Sequence, residues 1–428
     1  MEYLFKKVRI IDPGGKHHHK TRDVLVKDGM IQDIKSEIAK TKNTLELFKP
    51  DSYLSKAWID FGCLSGEPGN EHRETLDSLA NSAAIGGYAT LFIFPNTSPC
   101  IQSKSEVNFI LNRSKDLPVR LIPIGAISKN CKGEEMAEIL QMHEAGALAF
   151  SDGSNSIQNS GLFIRALDYL KLIPQCLLIN QSLDKAIAGH GQIHEGNIST
   201  VLGLLGIPSL AENSYIHRDI SLLDYTQSRL LIHKVSSSES VQIIKNAKKQ
   251  NSDLFSSVSI YNLIFDAEAL LDFNVQLKLS PPLRNKEDRK ALIKGLKEGA
   301  IDCIISDHYP WDPESKDLEF QSSAFGAISI QTCFSAYCTY LLDELGIDLW
   351  VDKTVNATAS IFNLPNPSIE VGNYCDLSWF DPKAEFIMEE KSIKSISKNS
   401  PFIGHHLKGK VHGVYTKGKF YNEFAHSL

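Results

Sequence analysis

The chain has 428 residues, of which 42% are hydrophobic, and its 45 basic and 51 acidic residues give a net charge of −6. This length exceeds what one hydrophobic core usually serves, so we expect a large domain and a smaller one. The charge is mild and spread along the chain, which argues against nucleic acid or anionic lipid as a partner. We find neither a signal peptide nor a run of roughly 20 apolar residues that could span a membrane, so we expect a cytoplasmic protein.

The eight cysteines are scattered and form neither a CxxC pair nor the tight cluster of a zinc ribbon. We therefore expect reduced, mostly buried thiols. They are Cys63, Cys100, Cys131, Cys176, Cys303, Cys333, Cys338 and Cys375.

The first fifty residues have the pattern of short strands joined by turns. Residues 3–11 and 23–34 are rich in apolar residues, and Asp28-Gly29 has the composition of a hairpin turn. The run His17-His18-His19 falls in a loop between two strands, where we favour a solvated loop over a metal site. The pattern predicts a small antiparallel β unit.

From about Trp58 to about Leu364, short apolar strands alternate with amphipathic helices. The strand-like segments are residues 89–96, 120–126, 147–152, 176–181, 229–236 and 300–307. This alternation predicts an α/β fold with a parallel sheet, and so many units predict a closed (β/α)8 barrel of the TIM type. Functional groups would lie where the barrel strands end.

The β character returns after Leu364, in residues 373–382 and 406–421. We therefore predict that both chain ends fold together into a small β-sandwich beside the barrel. The predicted domains are a composite sandwich of residues 1–53 and 366–428 and a barrel of residues 54–365.

Seven motifs in one order carry a resemblance to a known family. They lie at residues 66–75, 94–99, 150–152, 194–196, 203–208, 281–284 and 306–310. In order and spacing they resemble the bacterial dihydroorotases of the amidohydrolase superfamily, over nearly the whole chain. The resemblance implies the ring-closing step of pyrimidine synthesis, in which a zinc-bound hydroxide attacks an amide and interconverts carbamoyl aspartate and dihydroorotate.

The resemblance also implies zinc ligands, because zinc polarises the carbonyl and brings the pKa of bound water to about 7. In the family a His-x-His pair on the first barrel strand supplies two of them. Here the pair falls on Gly62 and Leu64, and the family's substrate-binding arginine falls on Gly66. Cys63 cannot replace either histidine, because alternate residues of a strand point to opposite faces.

The two later histidine ligands of the family fall on Gln181 and Lys234. Using His233 instead would, by strand alternation, turn it away from the barrel mouth. Two acidic positions survive, Asp152 and Asp307, and in the family the latter is both a metal ligand and the proton shuttle. Two carboxylates without imidazole make a poor zinc site. We therefore expect no cofactor, or zinc only if the chain is active.

The family's substrate pocket has changed as well. Asn96 keeps an asparagine that binds the substrate carboxylate in the family. Ser280 replaces a second asparagine, and residues 260–262 replace a Pro-His-His motif. Trp311 replaces the histidine that ends the family's Asp-His-x-Pro-His motif. Losses at the metal and at the substrate together indicate a silent relative rather than an enzyme with a different metal.

Lys234 places an ammonium where the family has a metal cation. We expect it to pair with Asp307 or Asp152, because two buried carboxylates without a counter-charge are costly. The alternative is a lysine that extends to solvent.

Other retained residues have structural interpretations. Asp307 is expected to be a structural carboxylate rather than a general base. His308 is expected to hydrogen-bond neighbouring loops, and Arg284 to fix a loop rather than bind a ligand. Glu67-Pro68-Gly69 has the composition of a turn between the first barrel strand and its helix.

The resemblance leaves three functions open. The first is a catalytically silent homologue that serves as a structural partner of aspartate transcarbamoylase, as metal-lacking relatives do. The second is an active dihydroorotase or cyclic amidohydrolase that hydrolyses dihydroorotate to carbamoyl aspartate, through unforeseen ligands or on Asp307 and Lys234. The third is a protein that binds a pyrimidine intermediate through Asn96. Since family members are commonly dimers, a homodimer is expected.

Overall fold

The structure is a computed structural model that describes residues 1–423. The strands are β1 (Glu2–Ile11), β2 (Thr21–Lys27), β3 (Met30–Lys35), β4 (Thr44–Leu47), β5 (Tyr53–Lys56), β6 (Trp58–Cys63), β7 (Tyr88–Ile93), β8 (Arg120–Pro123), β9 (Ala149–Phe150), β10 (Leu177–Asn180), β11 (Ile193–His194), β12 (Gly206–Ile207), β13 (Leu230–Ile232), β14 (Leu254–Ser259), β15 (Cys303–Ile305), β16 (Leu377–Ile387), β17 (His406–Thr416) and β18 (Lys419–Tyr421).

The α-helices are α1 (Leu76–Ile85), α2 (Lys104–Ser114), α3 (Ile139–Ala145), α4 (Ser160–Lys171), α5 (Lys185–Ala188), α6 (Asn197–Leu202), α7 (Leu210–Thr226), α8 (Ser238–Ala247), α9 (Ile260–Ile264), α10 (Lys286–Glu298), α11 (Pro313–Lys316), α12 (Cys333–Tyr340), α13 (Leu342–Val351) and α14 (Ala357–Ile361). Of the helices in the described part of the chain, none has both the length and the apolar character to cross a membrane.

The two chain ends fold together, as the sequence predicts, and their strands form one eight-stranded sheet. Its order is β18-β17-β16-β5-β1-β2-β3, and β4 pairs with β1. Strand β5 joins the two ends, because it pairs in parallel with β1 and antiparallel with β16. The β2–β3 hairpin turns at Asp28-Gly29, where both residues have positive φ, as this turn type requires. The domain boundaries at 53/54 and 365/366 stay a prediction.

The barrel contains eight parallel strands. Strands β6, β7 and β8 form one set, and β9, β10, β13, β14 and β15 form the other. The sets meet at one side through Gly125, which bridges to Phe150. At the other side the Ser306 amide after β15 donates to Asp60 Oδ1 on β6 at 2.7 Å, which closes the barrel. The predicted (β/α)8 architecture is confirmed.

The barrel interior is filled by alternate side chains of its strands. Phe61, Phe92, Ile124, Ile179 and Leu231 belong to one buried cluster in this interior. The outward side chains pack against the surrounding helices in a separate, larger cluster. The packed interior leaves the carboxyl ends of the strands as the place where polar groups can gather.

Short polar residues start the helices that follow the strands. Thr75, Ser103, Ser237 and Asn285 each accept a backbone hydrogen bond at the N-terminus of α1, α2, α8 and α10. All eight cysteines are buried, as expected.

Candidate functional site

A cavity of about 190 Å³ lies at the barrel mouth. Its lining residues are Ser154, Gln181, Lys234, Ser280, Asp307, Tyr309, Phe325 and Gly326. Four residues singled out from the sequence, Gln181, Lys234, Ser280 and Asp307, therefore meet in one place. Ser280 accepts a hydrogen bond from Gln181 Nε2 at 3.1 Å. The resemblance assigns the position of Gln181 to metal binding and that of Ser280 to substrate binding. In this chain the two side chains are hydrogen-bonded to each other.

Lys234 and Asp307 form a buried ion pair. The Lys234 Nζ atom lies 3.1 Å from Asp307 Oδ1, and the two side chains are 5% and 8% exposed. Lys234 follows β13, Asp307 follows β15, and both have a left-handed backbone, with φ of 58° and 56°. This conformation costs a side-chain-bearing residue about 1–3 kcal/mol. The pair expected from the sequence is present, and the alternative of a lysine extending to solvent is wrong.

Asp152 does not take part in this pair. Its Oδ1 atom accepts hydrogen bonds from the amides of Ile127 and Ser128 at 3.0 and 2.9 Å, and its Oδ2 atom accepts one from the Ser128 hydroxyl. Burial raises the pKa of Asp152, while these bonds oppose the rise. Both carboxylate oxygens are therefore used to fix the 127–128 backbone.

Asn96 binds the loop that follows β9. Its Nδ2 atom donates to the Asp152 carbonyl at 3.1 Å, and its Oδ1 atom accepts from the Ser154 amide at 3.2 Å. A Cβ on Gly153, which has a φ of +62°, would overlap Oδ1 of Asn96. Asn96 is not among the cavity's lining residues, and its role in substrate binding stays a prediction.

The positions of the first-strand histidine pair carry no ligand. Leu64 is 5% exposed and belongs to the apolar interior of the barrel. Gly62 has a φ of +110°, and a Cβ there would lie 2.8 Å from Cε1 of His233 and 3.2 Å from the Phe94 ring. The space beside Gly62 is therefore filled by an imidazole from a different strand.

His233 faces the barrel interior, so the expectation that it turns away is wrong. Its ring centroid lies 5.0 Å from that of Phe94 and 6.0 Å from that of Phe61. The cause is that strand pairing continues one residue past β13, since the His233 amide donates to the Asn180 carbonyl at 2.8 Å. His233 therefore keeps the inward direction of Leu231.

The His233 imidazole is held as a neutral core group. Burial, reinforced by the positive Lys234, holds the pKa of His233 well below its usual range. Its Nδ1 atom lies 3.1 Å from the Ser257 hydroxyl, and its Nε2 atom is buried without a hydrogen-bond partner in residues 1–423.

Cys63 points away from the barrel interior, as expected. Its thiol donates to Asp60 Oδ2 at 2.9 Å, and the Ser306 hydroxyl donates to the same carboxylate oxygen. Burial and then the Asp60 charge raise the pKa of the Cys63 thiol well above its usual range. A thiol in this state is a poor metal ligand, because metals bind the thiolate.

Gly66 leaves no room for the family's arginine. A Cβ there would lie 2.5 Å from the carbonyl oxygen of Glu74 and still closer to that of Asn70. Both are backbone atoms, so even a methyl group would require the 70–74 segment to move.

The donor set at the mouth does not fit a zinc ion. In the described part of the chain, three His, Cys, Asp or Glu ligand atoms lie within 4.8 Å of one another at one place, formed by His18, His19 and Asp348. That group lies outside the barrel mouth. His19 Nε2 is 2.9 Å from Asp348 Oδ2 on α13, so the loop that carries the histidines contacts a helix as well as solvent. At the mouth, the Asp307 carboxylate is neutralised by an ammonium.

Comparison with known proteins identifies the family. The family model "Dihydro-orotase-like" matches residues 56–240. A dihydroorotase from Acetivibrio thermocellus is 35% identical over 418 residues, which cover 97% of each chain. One from Caldicellulosiruptor saccharolyticus is 36% identical over 424 residues, again 97% of each chain. The chain belongs to the dihydroorotase family.

Solved structures give the same fold at lower identity. The L-hydantoinase (dihydropyrimidinase) from Arthrobacter aurescens superimposes with a TM-score of 0.85 and 21% identity, over 100% of this chain and 97% of that one. A D-hydantoinase gives a TM-score of 0.81 and 20% identity, over 99% and 95%. At this identity the likeness establishes the amidohydrolase fold alone.

His308, in the dihydroorotase motif of residues 306–310, links three segments, as predicted. Its Nδ1 atom accepts from the amides of Ser329 and Ile330, both at 3.3 Å, which assigns the proton of a neutral ring to Nε2. The Nε2 atom lies 3.4 Å from Glu74 Oε2, and Glu74 also accepts from the Ser395 hydroxyl. His308 is therefore a structural residue next to the mouth.

Arg284 fixes loops, also as predicted. Its guanidinium donates to Glu212 Oε2 at 3.1 Å, to the Ser236 hydroxyl at 2.7 Å and to His194 Nδ1 at 3.2 Å. These partners come from three segments, which are α7, the segment after β13 and strand β11. Burial, and then the Arg284 charge, lower the pKa of His194.

Trp311 anchors its own loop at the position of the family's histidine. Its indole Nε1 atom donates to the Phe325 carbonyl at 2.8 Å, and its ring stacks on Tyr309 at 5.6 Å. Arg73 lies over the same indole at 4.2 Å. Of this aromatic pair, Tyr309 lines the cavity at the mouth and Trp311 does not.

Sequence reasoning missed several residues of the site. Ser154, Phe325 and Gly326 line the cavity but lie in loops, where no periodic pattern marks them. Glu74 and Glu212 are buried carboxylates that bind Ser395 and Arg284, respectively. The sequence could have pointed to both glutamates, because Glu74 lies within the motif of residues 66–75 and Glu212 lies shortly after the motif of residues 203–208.

Proposed function

We propose that this chain is a catalytically silent member of the dihydroorotase family. The observation that carries the proposal is the buried pair of Lys234 and Asp307, whose charged atoms lie 3.1 Å apart. The family uses the Asp307 position as ligand and proton shuttle, and here that carboxylate faces an ammonium. Two like unit charges 4 Å apart repel by about 4 kcal/mol near a protein surface, and a divalent ion would be repelled about twice as strongly.

The surrounding contacts support the same proposal. Glycine and leucine at positions 62 and 64 offer no donor, and Gln181 is hydrogen-bonded to Ser280. The backbone around Gly66 excludes a side chain that could bind the substrate carboxylate. Without a group to polarise the amide or to orient the substrate, the remaining residues do not supply amide hydrolysis.

Zinc content and turnover test this proposal. The full chain, purified without tag or chelator, is assayed for bound zinc and for hydrolysis of dihydroorotate with added zinc. The His18→Ala/His19→Ala variant is measured in parallel, because it removes the zinc donors outside the mouth. The dihydroorotase from Acetivibrio thermocellus serves as the assay control.

We expect no turnover and well below one equivalent of zinc in the double variant. One or more equivalents retained in that variant, with turnover, would contradict silence and favour the active alternative. The names of the relatives at 35% and 36% identity support that alternative.

We further propose that the silent chain serves as a structural partner of aspartate transcarbamoylase. The support is the resemblance to metal-lacking relatives that hold this enzyme in its assembly. The test is size-exclusion chromatography with light scattering on the chain mixed with the aspartate transcarbamoylase of the same organism. We expect a joint peak, while separate elution would reject the partner and leave the proposal of silence standing.

The chain alone, measured in the same way, tests the expected homodimer. A homodimer has twice the 47.6 kDa of one chain. Elution at the mass of a single chain would contradict this expectation.

A second candidate function is binding of a pyrimidine intermediate without turnover. The polar lining of the mouth, with Gln181, Lys234 and Ser280, favours it. The cavity, at about 190 Å³, is smaller than the roughly 300–1,000 Å³ of typical ligand sites. Calorimetric titration with dihydroorotate and with carbamoyl aspartate separates this candidate from a pure scaffold. A protein that binds either compound releases or absorbs heat, and a pure scaffold does not.

A further inference from the structure

Two cysteines that are distant in the sequence touch each other beside the barrel mouth. The Sγ atoms of Cys100 and Cys131 lie 3.0 Å apart, closer than the roughly 3.5–4.0 Å of ordinary non-bonded contacts. The two residues are 6% and 3% exposed and form a small buried cluster with Ala126. Cys100 lies in the loop after β7, and Cys131 lies in the loop after β8.

The backbone next to each cysteine is fixed by hydrogen bonds between the two loops. The Ala126 amide donates to the Ile101 carbonyl at 2.7 Å, and the Asn130 amide donates to Gln102 Oε1 at 2.6 Å. A third bond, from Asn155 Nδ2 to the Cys131 carbonyl at 3.1 Å, joins the second loop to the segment after β9. These bonds hold the backbone segments on both sides of the sulfur contact.

We propose that Cys100 and Cys131 are a redox-active pair that closes to an intramolecular disulfide on exposure to a peroxide. A disulfide bond is about 2.05 Å long, so the sulfurs need to approach by about 1 Å. The loops they belong to also carry Asn96 and Ser128, which bind the Asp152 segment. Closure of the bond would therefore tie together two loops that border the mouth.

The reaction balances with hydrogen peroxide as the oxidant. The Cys100 thiolate attacks one peroxide oxygen, the O–O bond breaks, hydroxide leaves, and a sulfenic acid forms. The Cys131 sulfur then attacks the Cys100 sulfur, the S–O bond breaks, and water leaves. Two thiols lose two electrons and two protons in total, and the peroxide is reduced to two water molecules.

Cys100 is assigned the first attack because it is the more exposed of the two. The contact with Cys100, then burial and the charge of Asp152, raise the pKa of the Cys131 thiol well above its usual range. Since the thiolate is the nucleophile, formation of the disulfide should become faster as the pH rises.

The experiment uses the full-length protein, reduced, desalted and treated with graded hydrogen peroxide. Free thiols are counted after denaturation, and the unreduced protein is digested for peptide mapping. We expect the count to fall from eight to six, the mass to fall by about 2 Da, and one cross-linked peptide to join Cys100 to Cys131. Eight remaining thiols, a cross-link elsewhere, or a sulfenic acid on Cys100 beside a free Cys131 would overturn the proposal.

Two variants make the result specific. Cys131→Ser should give no cross-linked peptide at any peroxide concentration. Cys176→Ser is the matched control, because Cys176 is also buried, and its Sγ atom lies near His143 Nδ1 at 3.7 Å rather than near another thiol. This control should keep the cross-link between Cys100 and Cys131. If Cys131→Ser does not fold, the peptide map of the unsubstituted protein still shows whether Cys100 is cross-linked to Cys131.

Discussion

Gly62 and His233 exclude each other's side chains in the barrel interior. A Cβ on Gly62 would lie 2.8 Å from Cε1 and 3.1 Å from Nε2 of the His233 ring, which packs against Phe94 and Phe61. Restoring a histidine at position 62 would therefore require the other ring to leave a packed position. The packing around Gly62, where the resemblance puts a metal-binding histidine, therefore does not accept that histidine by a single substitution.

The substitution Gly62→Ala should lower the free energy of unfolding by about 2–6 kcal/mol. Backbone strain at φ +110° contributes about 1–3 kcal/mol, and the overlap with His233 adds a similar amount. Gly133→Ala is the control, because Gly133 has a φ of +73° with no atom within 4 Å of an added Cβ. Urea unfolding compares the two variants, and equal losses would show that the His233 contact is unimportant.

The sequence predicts the barrel, the joined chain ends and the pairing of Lys234 with Asp307, because each depends on strand patterns or on charge. The sequence prediction fails at His233. Counting strand alternation back from Lys234 places the His233 side chain on the outer face of the barrel, whereas it faces the interior. Lys234 reaches the mouth through a left-handed backbone, which sequence patterns do not reveal for a residue other than glycine. The close approach of Gly66 to the Glu74 backbone is likewise a tertiary contact without a local signal.

Removing one member of the Lys234–Asp307 pair should be more damaging than removing both. Lys234→Met or Asp307→Asn alone should lower the free energy of unfolding by about 3–5 kcal/mol, because each leaves a buried group without its partner. The double variant should lose less than either single variant, and therefore less than the sum of the two. Denaturant unfolding of all four proteins gives the coupling energy. Additive losses would mean that the ion pair does not stabilise the mouth.

Stability should rise with pH through Lys316. Burial, and then the positive Lys278, lower the pKa of Lys316 to about 7, while its Nζ atom donates to the Ala324 carbonyl at 2.8 Å. In the unfolded chain a lysine has a pKa of about 10.4, so between about pH 7 and 10 the unfolded state binds more protons than the folded state. The free energy of unfolding therefore increases with pH in this window, by at most about 1.4 kcal/mol per unit for one group.

The comparison that isolates this effect is with Lys316→Met, which cannot titrate. The difference in free energy of unfolding between the natural chain and this variant should grow in favour of the natural chain from about pH 7 to 9. Subtracting the two curves removes the contribution of the other titrating groups. Parallel curves would show that Lys316 keeps its proton in the folded protein.

Arg284 should not be replaceable by lysine. Its guanidinium holds Glu212, Ser236 and His194 with separate N–H groups, and its side chain is 1% exposed. A lysine has one ammonium and cannot reach three partners in different directions, so Arg284→Lys should cost about 2–4 kcal/mol of stability.

Arg289→Lys, on helix α10 just after Arg284, is the matched control. The Arg289 side chain is 30% exposed and lies 3.5 Å from Asp266, so this substitution should cost at most about 1 kcal/mol. Thermal and urea unfolding give the losses for both variants. Similar losses would mean that a lysine holds Glu212, Ser236 and His194 as well as the planar guanidinium does.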